Sequence, residues 1–228
     1  MTEALAPVIA IDGPGGSGKG TVAMRLAEEL GWHFLDSGAL YRLVAVAALD
    51  RGIAPDREEE LGRLAAGLNV TFDIAPGGMV IRLDGDAISD RLRSTEVSTL
   101  ASRIAAFPGV RAALAGRQRA FRKPPGLVAD GRDMGTVIFP DAALKIFLTA
   151  SPQARAERRY KQLKEKGENV NLSRLFREIV ERDERDSSRA VSPLRPADDA
   201  HVVDSTDLSV EEVMRRVHSL LEKSSITT

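Results

Sequence analysis

The chain has 228 residues, a formal net charge of −1 and no cysteine. That length allows one full core with a subdomain beside it, and the balanced charge gives no global field to recruit nucleic acid. Without cysteine there is neither a disulfide framework nor a thiolate metal site. The opening MTEALAPV carries an early Glu3 and no long apolar stretch, so it does not read as a signal peptide. No run reaches the roughly 20 apolar residues of a membrane span, and a soluble cytoplasmic protein is the expectation.

In chain order, Val8–Ile11 reads as a short buried strand, followed at once by GPGGSGKGT. Glycine interrupts strand and helix alike, so this much bare backbone needs a purpose. An anion supplies one. Successive N–H groups of such a turn point inward, the next helix adds its positive end, and Lys19 adds a full charge. Gly13 and Gly18-Lys19 match the G-x-x-x-x-G-K core of a phosphate-binding loop, but Gly20 stands where Ser or Thr is usual and Thr21 comes one place later. Val22, Ala23, Leu26, Ala27 and Leu30 recur at helical spacing until Gly31 ends the helix. A strand at His33–Leu35 and a helix from about Leu40 to Leu49 follow.

NVTFDIAPGGMVIRLDG alternates at Val70, Phe72 and Ile74, turns at Pro-Gly-Gly, and alternates again at Met79, Ile81 and Leu83. This is a hairpin, half buried on one face, and it interrupts the βα rhythm, so it belongs to an inserted lobe. Pro108 opens the helix PGVRAALAGRQRAF. GLVAD, LKIFLTA and HVVD are three more short apolar strands. Ser151-Pro152 starts one further helix, and Ser209 with Glu212 forms a capping box before Val213 and Val217. The alternation predicts an α/β fold with a parallel sheet covered by helices.

Three charged clusters remain. ARAERRYKQLKEKG is so basic that its arginines are expected to face water or phosphate, with Arg155, Arg158 and Arg159 on one face. In RDERDSSR, Arg182, Asp186 and Arg189 are spaced to share a helix face, which taken alone reads as solvated salt bridges. GRDMG follows a buried strand, where parallel sheets bind ligands, though it could be a charged loop only. The histidines, at 33, 201 and 218, lie outside every motif and read as structural.

GPGGSGKGT resembles the loop of nucleoside monophosphate kinases, in which glycine and then threonine follow the lysine. DSGALYR, ASRIAAFPGVR, DGRDMGTVIFPDA, ERDERDSSRAVSPL and VVDSTDLS, in this order from about residue 7 to 217, resemble the bacterial cytidylate kinase family. The resemblance implies a P-loop NTPase core over 1–36, 102–154 and 172–228, a nucleoside-monophosphate-binding lobe over 37–101 holding the hairpin, and a short lid over 155–171. It implies phosphorylation of CMP and dCMP by ATP with Mg2+; a monomer without nucleic-acid or membrane partners is the expectation.

By the same resemblance, ATP phosphates lie in Gly13, Pro14, Gly15, Gly16, Ser17, Gly18, Lys19, Gly20 and Thr21, with Lys19 reaching the γ-phosphate. Arg155, Arg158 and Arg159 belong to the lid over ATP. Ser37 and Arg42 take the CMP phosphate; Ser102, Arg111 and Asp133 take cytosine. Arg182 and Asp186 take the ribose hydroxyls, and Arg132 and Arg189 the phosphates. Catalysis rests on Lys19, Arg132 and Arg189, no side chain is a direct metal ligand, and Asp130 is a candidate for holding a magnesium water. The chemistry is coherent. Cytosine offers an amino donor beside two acceptors, which suits a carboxylate next to arginine and hydroxyl donors. Two rivals share the first loop. A GTP switch needs Asn-Lys-x-Asp, but Asn69, Asn169 and Asn171 are never followed by Lys. A small-metabolite kinase needs neither the base-reading trio nor the hairpin lobe.

Overall fold

The computed structural model describes residues 5–75, 78–88, 91–165, 167–224 and 226. Its strands are β1 (Val8–Asp12), β2 (His33–Asp36), β3 (Val70–Ala75), β4 (Gly78–Leu83), β5 (Asp86–Ala87), β6 (Leu127–Gly131), β7 (Leu144–Thr149) and β8 (His201–Asp204). The α-helices are α1 (Lys19–Leu30), α2 (Ser37–Asp50), α3 (Glu58–Ala66), α4 (Thr95–Ile104), α5 (Pro108–Arg119), α6 (Pro152–Glu165), α7 (Leu172–Ser187) and α8 (Val210–Glu222). Contacts divide the chain into two compact units, one of Met1–Asp36 with Arg119–Thr228, the other of Ser37–Gln118.

The first unit is built on a five-stranded parallel sheet in the order β2-β6-β1-β7-β8. Its central strand VIAID is buried along its whole length because helices cover both faces of such a sheet. Ile9, Ile11, Leu26, Ile146, Leu148, Val203, Val213 and Val217 form one cluster, each fully buried side chain of this kind contributing about 1.5–3 kcal/mol. The predicted caps are present. Ser151 Oγ accepts from Ala154 N at 3.2 Å, and Ser209 and Glu212 bond reciprocally at the start of α8. With β1 between β6 and β7, the loops after these three strands gather at the carboxyl edge of the sheet, where open α/β sheets bind ligands.

In the second unit α2 packs on α3 and α4, with Leu43, Leu61, Ile104 and Leu114 fully buried. The hairpin is β3–β4, paired antiparallel from Val70↔Leu83 to Ala75↔Gly78. Ile81 and Leu83 are buried and Arg82 is exposed, as the alternation requires. Pro76 and Gly77 of the expected turn lie outside the described residues. A third strand, β5, extends this sheet after a tight turn at Asp84-Gly85, both with positive φ (52° and 95°). Residues 102–118, expected with the core from sequence, fall in this unit.

Candidate active site

The glycine-rich stretch connects β1 to α1. Gly13 has φ +148°, and a Cβ there would stand 2.0 Å from the Leu148 carbonyl oxygen, so no other residue fits against β7. Lys19 is the first residue of α1; its Nζ is buried, donates to the Pro14 carbonyl at 3.3 Å and lies 3.7 Å from Asp130 Oδ1. Burial, and then Arg132, lower the Lys19 pKa from 10.5 to about 8, with Asp130 opposing them. A cation held at this cost is a strong anion site. Ser17 Oγ adds a buried hydroxyl with no hydrogen-bond partner among the described residues. Gly20 explains the departure from the usual motif: a Cβ there would crowd Asp130 Oδ2 at 3.1 Å.

The strand β6 ends at Gly131, and GRDMG continues as a single π-helical turn, Met134–Ile138, rather than an open loop. Such wide turns recur at functional sites. Arg132 donates from Nε to Asp186 Oδ2 at 3.3 Å and from Nη1 to the Gly131 carbonyl at 3.1 Å. Asp186, buried on α7, also pairs with Arg182 at 3.9 Å and accepts from Arg189. Burial pushes the Asp186 carboxyl up, but Arg132, Arg189 and Arg182 outweigh it and hold the group below the usual carboxylate range. The triad is therefore not a solvated face. Arg189 lies beyond the end of α7, past the cap at Ser188, and reaches back to Asp186.

This arginine cluster stands over the phosphate loop. A Cβ on Gly15 would be 3.5 Å from Arg132 Nη2 and 3.6 Å from Arg182 Nη1. Lys19, Arg132, Arg182 and Arg189 thus converge on one patch of the first unit, where two or more phosphate groups would be neutralised. Asp133 is buried beside them, its carbonyl accepting from Val137 N at 2.9 Å.

Arg155 corrects the expectation for the basic helix. It faces neither water nor an open phosphate site: it is buried, donates to the carbonyls of Ala150 (2.9 Å) and Gly15 (3.2 Å), and forms a bidentate pair with Asp183. It braces the loop from behind. Arg158, half-buried, donates to the Ser17, Ser205 and Thr206 carbonyls, and Ser205 Oγ donates to Ser17 O at 2.9 Å. Arg159 is half-buried on the same helix, α6. His33 Nε2 lies 3.0 Å from the Pro124 carbonyl oxygen, and His218 Nε2 lies 2.8 Å from Glu29 Oε2.

The other four predicted residues lie in the second unit. Ser37 is the first residue of α2, and its hydroxyl donates to Gln118 Oε1 at 2.8 Å. Arg42 lies half-buried one turn on, and Ser102 is buried on α4. Arg111, buried on α5, donates to the Ala105 carbonyl at 3.0 Å and has its guanidinium 5.8 Å from the centre of the Tyr41 ring. Sequence reasoning passed over Asp183, Gln118, Tyr41 and Asp12. Asp183 had a signal in its place inside the RDERD run, and Tyr41 in its place inside DSGALYR.

The family model described as cytidylate kinase matches residues 9–223. The chain belongs to the cytidylate kinase family. A protein named cytidylate kinase from Stutzerimonas stutzeri is 60% identical over 215 residues, covering 93% of this chain and 94% of that one. Namesakes from Aeromonas hydrophila and Methylococcus capsulatus are each 56% identical, over 219 and 216 residues, covering 96% and 95% of this chain and 95% and 97% of theirs. The match to the cytidylate kinase model spans both units, including the hairpin and the basic helix. Among the described residues no helix is long and apolar enough to cross a membrane.

Proposed function

We propose that this chain is a phosphotransferase that moves the γ-phosphoryl group of ATP in line onto the phosphate of CMP or dCMP, giving CDP or dCDP in pyrimidine nucleotide metabolism. The observation that carries this reading is the convergence of Lys19 and three arginines over the phosphate loop in a chain of the cytidylate kinase family. The acceptor is a phosphate monoester, already anionic at neutral pH, so no general base is needed. The protein's task is to position two anions and neutralise the charge between them.

In this reading the loop residues 13–21 hold the donor phosphates, and Lys19, Arg132 and Arg189 stabilise the phosphoryl group in transfer. Arg182 and Asp186 orient the acceptor's ribose. Residues 37–101 form the monophosphate-binding lobe, with Ser37 and Arg42 for the CMP phosphate, while Ser102, Arg111 and Asp133 are assigned to cytosine. Residues 155–171 form the lid, where Arg158 and Arg159 approach ATP and exclude water. Magnesium bound with ATP supplies further charge neutralisation, and Asp130, beside Lys19, would hold one of its waters. On this reading the enzyme works in the cytoplasm as a monomer.

A coupled assay of ADP formation with CMP, dCMP, UMP, AMP, GMP and small alcohols tests the proposal. CMP and dCMP are expected to be turned over at least about tenfold more efficiently than UMP. Phosphorylation of an alcohol in preference to CMP would overturn the assignment.

A further inference from the structure

We propose that Asp12 is a positioning residue for base selection: its carboxylate grips the backbone of the turn that presents Arg132 and Asp133. The inference rests on the reading of Asp133 as the base-reading group. Asp12 closes β1, and its two oxygens each accept one backbone N–H, from Met134 and from Gly135, both at 2.8 Å. These are the first two N–H groups of the π-helical turn, where no intrahelical partner exists. A carboxylate from the neighbouring strand therefore caps a turn that has no side-chain cap of its own.

The register makes the reach short. Asp12 pairs with Gly131, the last residue of β6. Met134, fully buried, is anchored on its other side under Gly131, where a Cβ would approach its Cγ to 2.7 Å. The backbone on either side of Asp133 is thus held at Gly131 by the sheet and at Met134 and Gly135 by Asp12. In the other direction along the chain, Asp12 is followed by Gly13 of the phosphate loop. One side chain consequently ties the loop of the donor phosphates to the turn that reads the acceptor.

The cost of this arrangement argues for a purpose. Burial raises the Asp12 pKa from 3.8 to about 7 against the lowering effect of the two N–H groups, and Asp133 and Asp130 add like-charge repulsion. A neutral cap would be cheaper to bury, but Asn or Ser cannot accept two divergent N–H bonds with two equivalent oxygens. Buried polar groups that violate the cheaper choice are found at functional sites.

The test is Asp12→Asn, which turns an NH2 group toward one of the two N–H donors and frees that side of the turn. The ratio of kcat/KM for CMP to that for UMP is expected to fall by about fivefold or more, with KM for CMP raised and KM for ATP within about twofold. A purely structural role would instead lower kcat for both nucleotides in parallel at unchanged KM, and that result overturns the proposal. If Asp12→Asn does not accumulate as folded protein, Gly135→Ala presses on the same turn, since its Cβ would meet Lys145 Cδ at 3.1 Å and Asp12 Oδ2 at 3.5 Å. The same fall in the ratio is expected there, and an unchanged ratio overturns the proposal. A parent enzyme with no preference for CMP over UMP overturns the base-reading assignment itself, and this role with it.

Discussion

Asp183→Ala separates two accounts of Arg155, a ligand for ATP or a brace for the phosphate loop. The Arg155 side chain is 3% exposed and that of Asp183 25%. Removing one partner of a buried pair costs about 3–5 kcal/mol, because the other charge is left uncompensated. Two features reduce that figure here. Water reaches the Asp183 side of the pair, and the carbonyls of Ala150 and Gly15 still accept from the guanidinium. A loss of about 2–3 kcal/mol is therefore expected. For a chain of this length each kcal/mol corresponds to about 2–4 °C, so the ligand-free protein should melt roughly 5–10 °C lower. Thermal denaturation without nucleotide reads this directly, and KM for ATP should rise as the loop loses its support at Gly15. If the melting temperature of the ligand-free protein moved by less than about 1 °C, the brace would be refuted.

Lys19→Met should reduce turnover by several orders of magnitude, on the scale of about 10³–10⁵ seen when a phosphate-neutralising arginine is lost, without lowering the melting temperature; near-normal turnover in the folded variant would end the phosphate-loop assignment. Because the Lys19 pKa is about 8 in the folded chain and 10.5 ordinarily, the unfolded chain holds more protons between those values, and stability from this group rises with pH across that window. Urea denaturation at about pH 7.5 and 9.5 should show the parent gaining stability relative to Lys19→Met, and a pH-independent difference would refute the shift. Asp133→Asn should lower the CMP-to-UMP efficiency ratio by about tenfold, or roughly 1.4 kcal/mol; a parallel loss for both would make Asp133 a support rather than a reader. Asp186→Ala leaves Arg132, Arg182 and Arg189 facing one another and should reduce CMP efficiency by about tenfold or more, whereas unchanged kinetics would return this cluster to surface charge.

What could be read from the sequence was local. The phosphate loop, the capping box at Ser209 and the proline starts of α5 and α6 are short-range patterns whose physics is complete within a few residues. The Asp84-Gly85 turn was equally local but was passed over, and with it β5. What could not be read depends on partners far apart in the chain. Asp12 grips Met134 and Gly135, and Ser37 meets Gln118; neither pairing leaves a periodic trace. Arg155 was misread for the same reason, since a basic helix looks solvated until Asp183 is known to cover it.

The order of strands also bears on how the chain is made. Val8–Asp12 precedes the other strands of its sheet, yet both of its hydrogen-bonding neighbours, Leu127–Gly131 and Leu144–Thr149, come after the whole of Ser37–Gln118. That intervening unit is one continuous stretch and can close on itself while the first strand waits. Long-range parallel pairing of this kind is slow, since the loop must close before any contact rewards it. Until then an apolar segment with two bare edges is exposed, a template for pairing with other chains. A nascent chain stalled between residues 36 and 127 is accordingly the species in which this fold is most open to aggregation.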